Sequence, residues 1–269
     1  MSGPEGVVER EWRRFTPAQR AARFAVYLGL VAAVVVSART IEIIPEFLYD
    51  APAQLRDLFQ RMWPVDWAHY PEGVHAALVE TLHIATLGTL LTLVMALPLG
   101  LMAARNVTPW APLNYFAKFL LVASRSIDAL VWALLFIAIF GPGPLAGTLA
   151  IAFRSIGFVG KLFGEACEQA HRGSIEALQA SGAPWLSVLR YGYWPQVKPA
   201  FWGLALLRWD INVRESSVLG LVGAGGIGVA QNTAMNLFQW QRVAVVLLSI
   251  FAVVILAEIV VTQIRKRVL

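Results

Sequence analysis

Long apolar stretches that are almost free of charge constrain this chain more than any other feature of its sequence. A helix needs about 20 mostly apolar residues to cross a bilayer. Six stretches approach that length, although the first is short and the third is interrupted by SRSID: 24–38, 78–104, 114–140, 145–163, 199–219 and 243–264. Only 14% of the 269 residues are charged, against about 25% in a typical soluble domain. We therefore predict an all-α polytopic membrane protein with about six transmembrane helices.

Basic residues at both ends of the chain indicate how the spans are oriented. The N-terminal tail holds five arginines between Arg10 and Arg23, and RKR follows the last span at 265–267. Cytoplasmic flanks are enriched in Lys and Arg, and an even number of spans places both tails on one side. We therefore expect both termini in the cytoplasm and the acidic loop 39–77 outside. The first span is expected to be an uncleaved anchor, because the charged tail before it is longer than that of a signal peptide.

The same pattern divides the chain into three parts and excludes several classes of site. We expect a cytoplasmic tail at 1–23, a first transmembrane helix with an extracytoplasmic loop at 24–77, and a membrane core at 78–269. The net charge of +5 does not indicate nucleic acid binding, because the basic residues lie at the cytoplasmic ends of the spans. The single cysteine, Cys167, excludes internal disulfides. The four histidines have no close metal-ligand spacing, so we expect no metal site.

A glycine-rich stretch, GLVGAGGIGVA at 220–230, has the G-x-G-x-x-G spacing of dinucleotide-binding loops. That motif requires a preceding strand and an acid about 20 residues later. The residues before the motif form a stretch too long for a strand. Position 248, about 20 residues after the motif, is a leucine and not the required acid. We therefore expect no NAD or FAD, and predict a structural turn that needs positive φ angles and close backbone packing. Its glycines are Gly223, Gly225, Gly226 and Gly228.

The segment 164–198 is the longest internal segment predicted to be cytoplasmic. Ser174 is a suitable N-cap, Gly182 a suitable helix end, and Pro184 a suitable first residue of a second helix. Pro195 is expected to stop the chain before it re-enters the membrane. The pattern predicts two short helices joined by a sharp turn. They rest on lipid as an amphipathic hairpin or dock a cytoplasmic partner.

Residues within this segment resemble the EAA motif of binding-protein-dependent ABC importer permeases. EALQASG is followed after nine residues by GYWP, where the family has Glu-Ala-Ala, three residues, Gly, nine residues, then Ile-x-Leu-Pro. Four positions match in register: Glu176, Ala177, Gly182 and Pro195. Leu178, Gly192 and Trp194 depart from the usual Ala, Ile and Leu. The resemblance implies that this segment is the coupling helix that sits in a groove of an ATPase subunit.

Two further stretches, GKLFGEACE and WDINVRESSVLGLVGAGGIG, are similar to phosphonate-type permeases over roughly 78–269. This resemblance implies a methionine-permease-like ABC importer fold in the bacterial inner membrane. It implies a transport subunit for phosphonate or a related phosphorus oxyanion such as phosphite, and not an enzyme. The implied partners are a second copy of the chain, two ATPase subunits and an extracytoplasmic binding protein. The chain has no GxxxxGK[ST] loop, so ATP and Mg are expected on the ATPase subunits and no cofactor is expected here.

Charged and polar residues inside the predicted spans mark a candidate translocation pathway, because ionisable groups are costly within the bilayer. The set is Arg154, Arg208, Asn212, Arg214 and Glu215. Arginine forks suit a phosphorus oxyanion. Because a pore must also release its anion, we expect these arginines to lower a desolvation barrier without forming a tight site. Glu215 is expected either to orient an arginine or to act as a gate.

Local spacing predicts the partners of some of these charges. Arg125 is three residues from Asp128, and Asp210 is four residues from Arg214, so each pair is expected to form an ion pair. Arg154 and Arg208 have no acid three or four residues away and are treated as unpaired. On the second span, Glu80 and His83 are expected at the membrane interface.

Other function classes remain open at this point. A permease for methionine or another anion would share the EAA motif and the glycine turn, although the intramembrane arginines favour an anion. An ATP-independent secondary transporter or channel needs no docking segment for an ATPase. A membrane enzyme would need a catalytic constellation, and the sequence has no such Ser/His/Asp set or acid pair.

Overall fold

A computed structural model describes residues 15–41 and 45–268, and every regular element in these two ranges is helical. The prediction of an all-α chain is therefore confirmed. The α-helices in chain order are Pro17–Thr40 (α1), Pro45–Met62 (α2), His75–Ala103 (α3), Ala111–Ser126 (α4), Ala129–Phe140 (α5), Pro144–Glu168 (α6), Arg172–Ala180 (α7), Trp185–Ser187 (α8), Trp194–Leu219 (α9), Ile227–Asn236 (α10) and Trp240–Val268 (α11). Wide π-type turns at Tyr70–Val74 and Val188–Tyr193 lead into α3 and α9, and a 3₁₀ turn at Gly220–Val222 follows α9.

The described residues up to Asp57 form the first of two compact units. Its α1 begins at a capping box, in which Thr16 Oγ1 accepts from the N–H of Gln19 and the Gln19 side chain accepts from the N–H of Thr16. Pro17 then occupies the first helical position, where its missing N–H costs nothing. No residue of α1 is buried, and its apolar surface suits contact with lipid. The structure also shows that the predicted loop 39–77 contains a helix, α2.

The second unit, residues 58–269, is built around the contact between α3 and α6. Small residues bring these helices together. A Cβ atom on Gly100 would lie 2.8 Å from the carbonyl oxygen of Gly160, and one on Gly164 would lie 3.0 Å from the carbonyl oxygen of Gly100. Such contacts are typical of membrane helices, where association depends on close packing.

Helices α9 and α11 complete this unit around α3. Val213 of α9 forms a buried cluster with Ala85 of α3 and Ala257 of α11. Ile227, at the start of α10, packs in a second cluster that includes Val245 of α11. These contacts leave one polar stripe of α9 directed at α6.

A bend of 93° separates α4 from α5. The predicted span 114–140 is therefore broken, and the break falls at Ile127 and Asp128 within the SRSID sequence. Asp128 starts α5 as its N-cap, with its Oδ1 accepting from the N–H of Leu130 at 3.0 Å. Ser124, just before the break, donates to the carbonyl oxygen of Phe153 on α6. It also accepts from the N–H of Gly157 at 3.2 Å.

Four helical segments of the described chain are long and apolar enough to cross a membrane: Pro17–Thr40, Tyr70–Ala103, Pro144–Glu168 and Trp240–Arg267. Two bent pairs bring the number to six when each is counted as one span. One is α4 with α5, and the other is the continuous helix Trp185–Val222 with α10, bent by 41°. Each of the six predicted apolar stretches falls largely within one of these segments or pairs.

Candidate functional site

The segment predicted to couple to a partner contains α7, a tight turn and α8. Helix α7 begins at Arg172, so the prediction that Ser174 caps it is wrong. The hydroxyl of Ser174 instead donates to the carbonyl oxygen of His171 at 3.2 Å. The earlier start has a side-chain cause: Gln196 accepts from the N–H of His171 at 2.8 Å. A residue of α9 thus binds the backbone at the start of α7.

Gly182 ends α7 in a Schellman motif. Its φ is +77°, a left-handed conformation that favours glycine. Its N–H donates to the carbonyl oxygen of Gln179 at 3.0 Å, and the N–H of Ala183 donates to that of Leu178 at 3.2 Å. These two bonds satisfy carbonyls that the helix end would otherwise leave without a donor.

The chain after this turn differs from the prediction at both prolines. Pro184 is the N-cap of α8 and not its first helical residue. Pro195 does not stop the helix, because α8 continues through Val188–Tyr193 into α9. Pro195 lies in the first turn of α9, and the wide turn before it adjusts the backbone so that the helix tolerates its missing N–H.

Several side chains fix this segment to the rest of the second unit. Ile175 of α7 is buried beside Val188 and Phe201, and the Tyr193 hydroxyl donates to the carbonyl oxygen of Asn106 at 3.1 Å. The positions that match the EAA motif are exposed: Glu176, Ala177, Gly182 and Pro195. Trp185 and Leu186 are 59% and 66% exposed beside them. The segment therefore presents exposed polar and apolar residues on a support that is held by packing and hydrogen bonds.

The glycine turn joins α9 to α10. Gly223, Gly225 and Gly226 have φ angles of +89°, +84° and +76°. Gly228 serves close packing instead, because a Cβ atom there would overlap the carbonyl oxygen of Ser217 and lie 2.8 Å from the Cα of Gly220. The turn contains no strand–helix geometry of a dinucleotide fold.

Side chains of α3 hold this turn in place. Glu80 accepts from the N–H of Gly226 at 3.1 Å, and the Thr81 hydroxyl accepts from the N–H of Ile227 at 2.7 Å. Glu80 therefore stabilises the glycine turn through a hydrogen bond, a role beyond the interfacial position that the sequence predicts. His83, by contrast, is exposed.

A buried polar network joins α3, α6 and α9. Asn212 is fully buried and donates to the Thr89 hydroxyl at 2.8 Å. Its Oδ1 accepts from the Ser155 hydroxyl at 3.2 Å, and Ser155 in turn accepts from Arg208 Nε at 2.7 Å. Sequence reasoning missed Thr89 and Ser155, because no periodic pattern shows which hydroxyls of other helices face an asparagine.

Ion pairs extend this network, and they differ from the pairs predicted from the sequence. Glu215 pairs with Arg208 at 2.9 Å and also with Arg154, so neither arginine is unpaired. Asp128 pairs with Arg154 at 3.7 Å, and no Arg125–Asp128 pair forms within the described residues. Arg208 and Glu215 are seven residues apart, which places them on one face of α9 two turns apart. The helical spacing could thus have revealed this pair.

Arg214 and Asp210 form the expected ion pair on another side of α9. Arg214, Arg154, Glu215 and Asp128 line a cavity of about 230 Å³, together with apolar residues of α5 and α9. Arg208 lies behind this cavity and is not among its lining residues. The structure thus brings Arg154, Arg214 and Glu215 to one open site and places Arg208 and Asn212 in its buried support.

Residues 96–269 match the family described as binding-protein-dependent transport system inner membrane component. A phosphite transport system permease protein of Stutzerimonas stutzeri is 38% identical over 203 residues, which cover 76% of this chain and 74% of that protein. A phosphate-import permease protein of Mycolicibacterium smegmatis is 36% identical over 234 residues. They cover 87% of this chain and 44% of that protein.

Solved structures share the fold. A chain of the methionine ABC transporter MetNI in an inward-facing conformation superposes with a TM-score of 0.65 at 20% identity. The match covers 73% of this chain and 96% of that one. A chain of an amino acid ABC transporter with histidines gives a TM-score of 0.60 at 18% identity and covers 74% and 93%. The predicted methionine-permease-like fold is confirmed. The chain belongs to the family of inner membrane components of binding-protein-dependent transport systems.

Proposed function

We propose that this chain is the transmembrane permease subunit of an ATP-driven importer for a phosphorus oxyanion, phosphonate or phosphite. The observation that carries the proposal is the cavity of about 230 Å³ in which Arg154 and Arg214 lie at the surface of an apolar helical unit. Guanidinium forks match the oxygens of a tetrahedral oxyanion. The names of the relatives support the same class of substrate.

Within this proposal, two copies of the chain assemble with two ATPase subunits, which hold ATP and Mg, and with an extracytoplasmic binding protein. Both termini lie in the cytoplasm. The α7–α8 segment docks on an ATPase subunit through its exposed positions around Glu176 and Ala177. The rigid support below it, through Ile175 and Tyr193, transmits movement of the ATPase to α6 and α9.

The two carboxylates at the cavity explain how an oxyanion is recognised and still released. Glu215 is held by two arginines, whereas Asp128 pairs with one arginine, Arg154, at 3.7 Å, and its side chain is 61% exposed. An arriving anion therefore displaces the Asp128 carboxylate from Arg154. Competition from a built-in carboxylate weakens anion binding, which permits the release that transport requires.

This displacement mechanism predicts opposite effects of two substitutions. Arg154→Gln removes a charged fork and should weaken methylphosphonate binding by about 10- to 100-fold, as expected for a lost charge-assisted hydrogen bond. Asp128→Asn removes the competitor but keeps an N-cap for α5, and should strengthen binding several-fold. Equilibrium binding to the purified complex, without the binding protein, measures both. A shift of the two variants in the same direction would contradict the mechanism.

The coupling role of the α7–α8 turn predicts a contrast at Gly182. Valine strains a left-handed position by about 1–2 kcal/mol, whereas asparagine tolerates it. No atom lies within 4 Å of a Cβ at this position, so side-chain size alone does not distinguish the variants. Gly182→Val should lower ATPase association and stimulated hydrolysis about tenfold, and Gly182→Asn should stay near wild type. Equal activity of the two would exclude a role for the turn geometry.

The whole proposal is tested in proteoliposomes that contain the chain with its ATPase and binding protein. ATP hydrolysis is measured with methylphosphonate, phosphite, phosphate and methionine. Stimulation by the phosphorus oxyanions is expected. Stimulation by methionine alone would retain the fold and overturn the substrate, and failure of any ATPase to associate would favour an ATP-independent carrier.

A further inference from the structure

A second cavity, of about 280 Å³, lies between the end of α3, helix α4 and the last turns of α6. It is separate from the cavity at Arg154, with which it shares no lining residue. Four basic side chains line it: Arg105, Lys118, Arg125 and Lys161. The proposed transport function uses none of them.

The charges of this cavity are only partly compensated. Lys161 pairs with Glu165 at 3.4 Å, and the carboxylate of Glu168 accepts from the backbone N–H of Arg105 at 3.0 Å. The side chains of Arg105, Lys118 and Arg125 form no ion pair with any residue in 15–41 or 45–268. Four cations against two carboxylates leave an excess of positive charge. The cavity therefore suits an anion.

The position of the cavity relates it to the membrane surface. The last turn of α3 and the last turns of α6 form its walls, and α6 leads directly into the α7–α8 segment. In the orientation proposed above, this end of the unit faces the cytoplasm. Lys118 and Arg125 are seven residues apart on α4, so they share one face and lie about 10 Å apart along the helix.

Apolar surface lies beside these charges. Val122 lines the cavity between Lys118 and Arg125 and is 50% exposed. Tyr115 and Phe119 of the same helix are 68% and 67% exposed. A small hydrophilic anion gains nothing from such neighbours, whereas a phospholipid uses both the cations and the apolar helix.

We propose that this basic cavity binds the phosphate headgroup of an anionic phospholipid of the cytoplasmic leaflet, with its acyl chains along α4. Arginine and lysine donate to the phosphate oxygens, and basic pockets between membrane helices on the cytoplasmic side are suited to anionic lipid headgroups. The inference depends on the proposed orientation and not on the transported substrate.

The test is lipid retention by the purified full-length chain, measured by native mass spectrometry after incubation with phosphatidylglycerol or phosphatidylcholine. Wild type should retain phosphatidylglycerol, and the double variant Lys118→Gln/Arg125→Gln should retain about 30-fold less, from the usual effect of two basic residues near a membrane surface. The matched control is Arg265→Gln/Lys266→Gln, which removes two charges from the last turn of α11 and should stay within about twofold of wild type.

Further measurements distinguish binding of a lipid headgroup from binding of free phosphate. Equal retention of the two lipids, or equal loss in both double variants, would overturn the proposal. So would binding of inorganic phosphate that depends on Lys118 and Arg125 and displaces phosphatidylglycerol at millimolar concentration, because the site would then serve a free oxyanion. A melting curve of each variant verifies that it is folded.

Discussion

Glu215→Ala is expected to destabilise the second unit by about 3–5 kcal/mol, the usual cost of removing one partner from a buried ion pair. Glu215 is the shared partner of Arg208, at 2.9 Å, and of Arg154. The Arg208 side chain is only 4% exposed, so its charge depends on this carboxylate for compensation. Thermal unfolding of the purified chain, followed by tryptophan fluorescence, measures the effect.

Two controls separate loss of the pair from loss of a carboxylate in general. Glu72→Ala removes an exposed carboxylate that precedes α3 and lies outside the predicted spans, and should change stability by less than about 0.5 kcal/mol. Arg208→Met/Glu215→Leu removes the charges together and should recover much of the stability, because apolar replacements of a buried pair are often tolerated. Unchanged melting of Glu215→Ala would show that the network does not stabilise the fold.

Gly228→Ala is expected to cost about 3 kcal/mol, at the upper end of the usual effect of overpacking. The added Cβ would overlap the Ser217 carbonyl oxygen and lie 2.8 Å from the Cα of Gly220 and 2.9 Å from the N of Leu221. All three are backbone atoms, which cannot move aside as a flexible side chain does. The amount of folded protein in detergent and its melting temperature check the result.

The matched control for Gly228 is another helical glycine with the same substitution. Gly29 of α1 has nothing within 4 Å of its added Cβ, and alanine has the higher helix propensity. Gly29→Ala should therefore be neutral, or stabilising by up to about 1 kcal/mol. If Gly228→Ala behaves like Gly29→Ala, the close packing of the glycine turn is not what requires glycine.

The sequence predicted the helical elements well because the bilayer imposes a simple rule on them. A backbone in lipid must satisfy its own hydrogen bonds, so apolar length alone identifies helices such as 243–264. The position of the α4–α5 break was also visible in SRSID. The 93° bend was not visible, because it depends on how Ser124 and Asp128 are held by α6.

Ion pairing was the least predictable part of the candidate site. Spacing along one helix correctly paired Asp210 with Arg214 but assigned Asp128 to Arg125. The actual partner of Asp128 is Arg154 on α6, and which helices become neighbours is decided by packing of small residues such as Gly100 and Gly160. At Pro195 the error had a different cause, since a proline in the first turn of a helix is compatible with its continuation.

The break between α4 and α5 also affects how polar groups are accommodated within the membrane. At 1.5 Å per residue, α4 is about 24 Å long and α5 about 18 Å, so neither alone crosses a hydrocarbon core of about 30 Å. The last carbonyls of α4 have no further helical turn to bond them. Side chains donate to two of them, Ser126 to Ala123 and Trp132 to Ser124, and the Asp128 carboxylate beside them is 61% exposed. Such groups need a hydrated or protein-lined space. Under the proposed function, an oxyanion that passes Asp128 would keep part of its hydration shell, which would reduce the dehydration free energy that Arg154 has to offset.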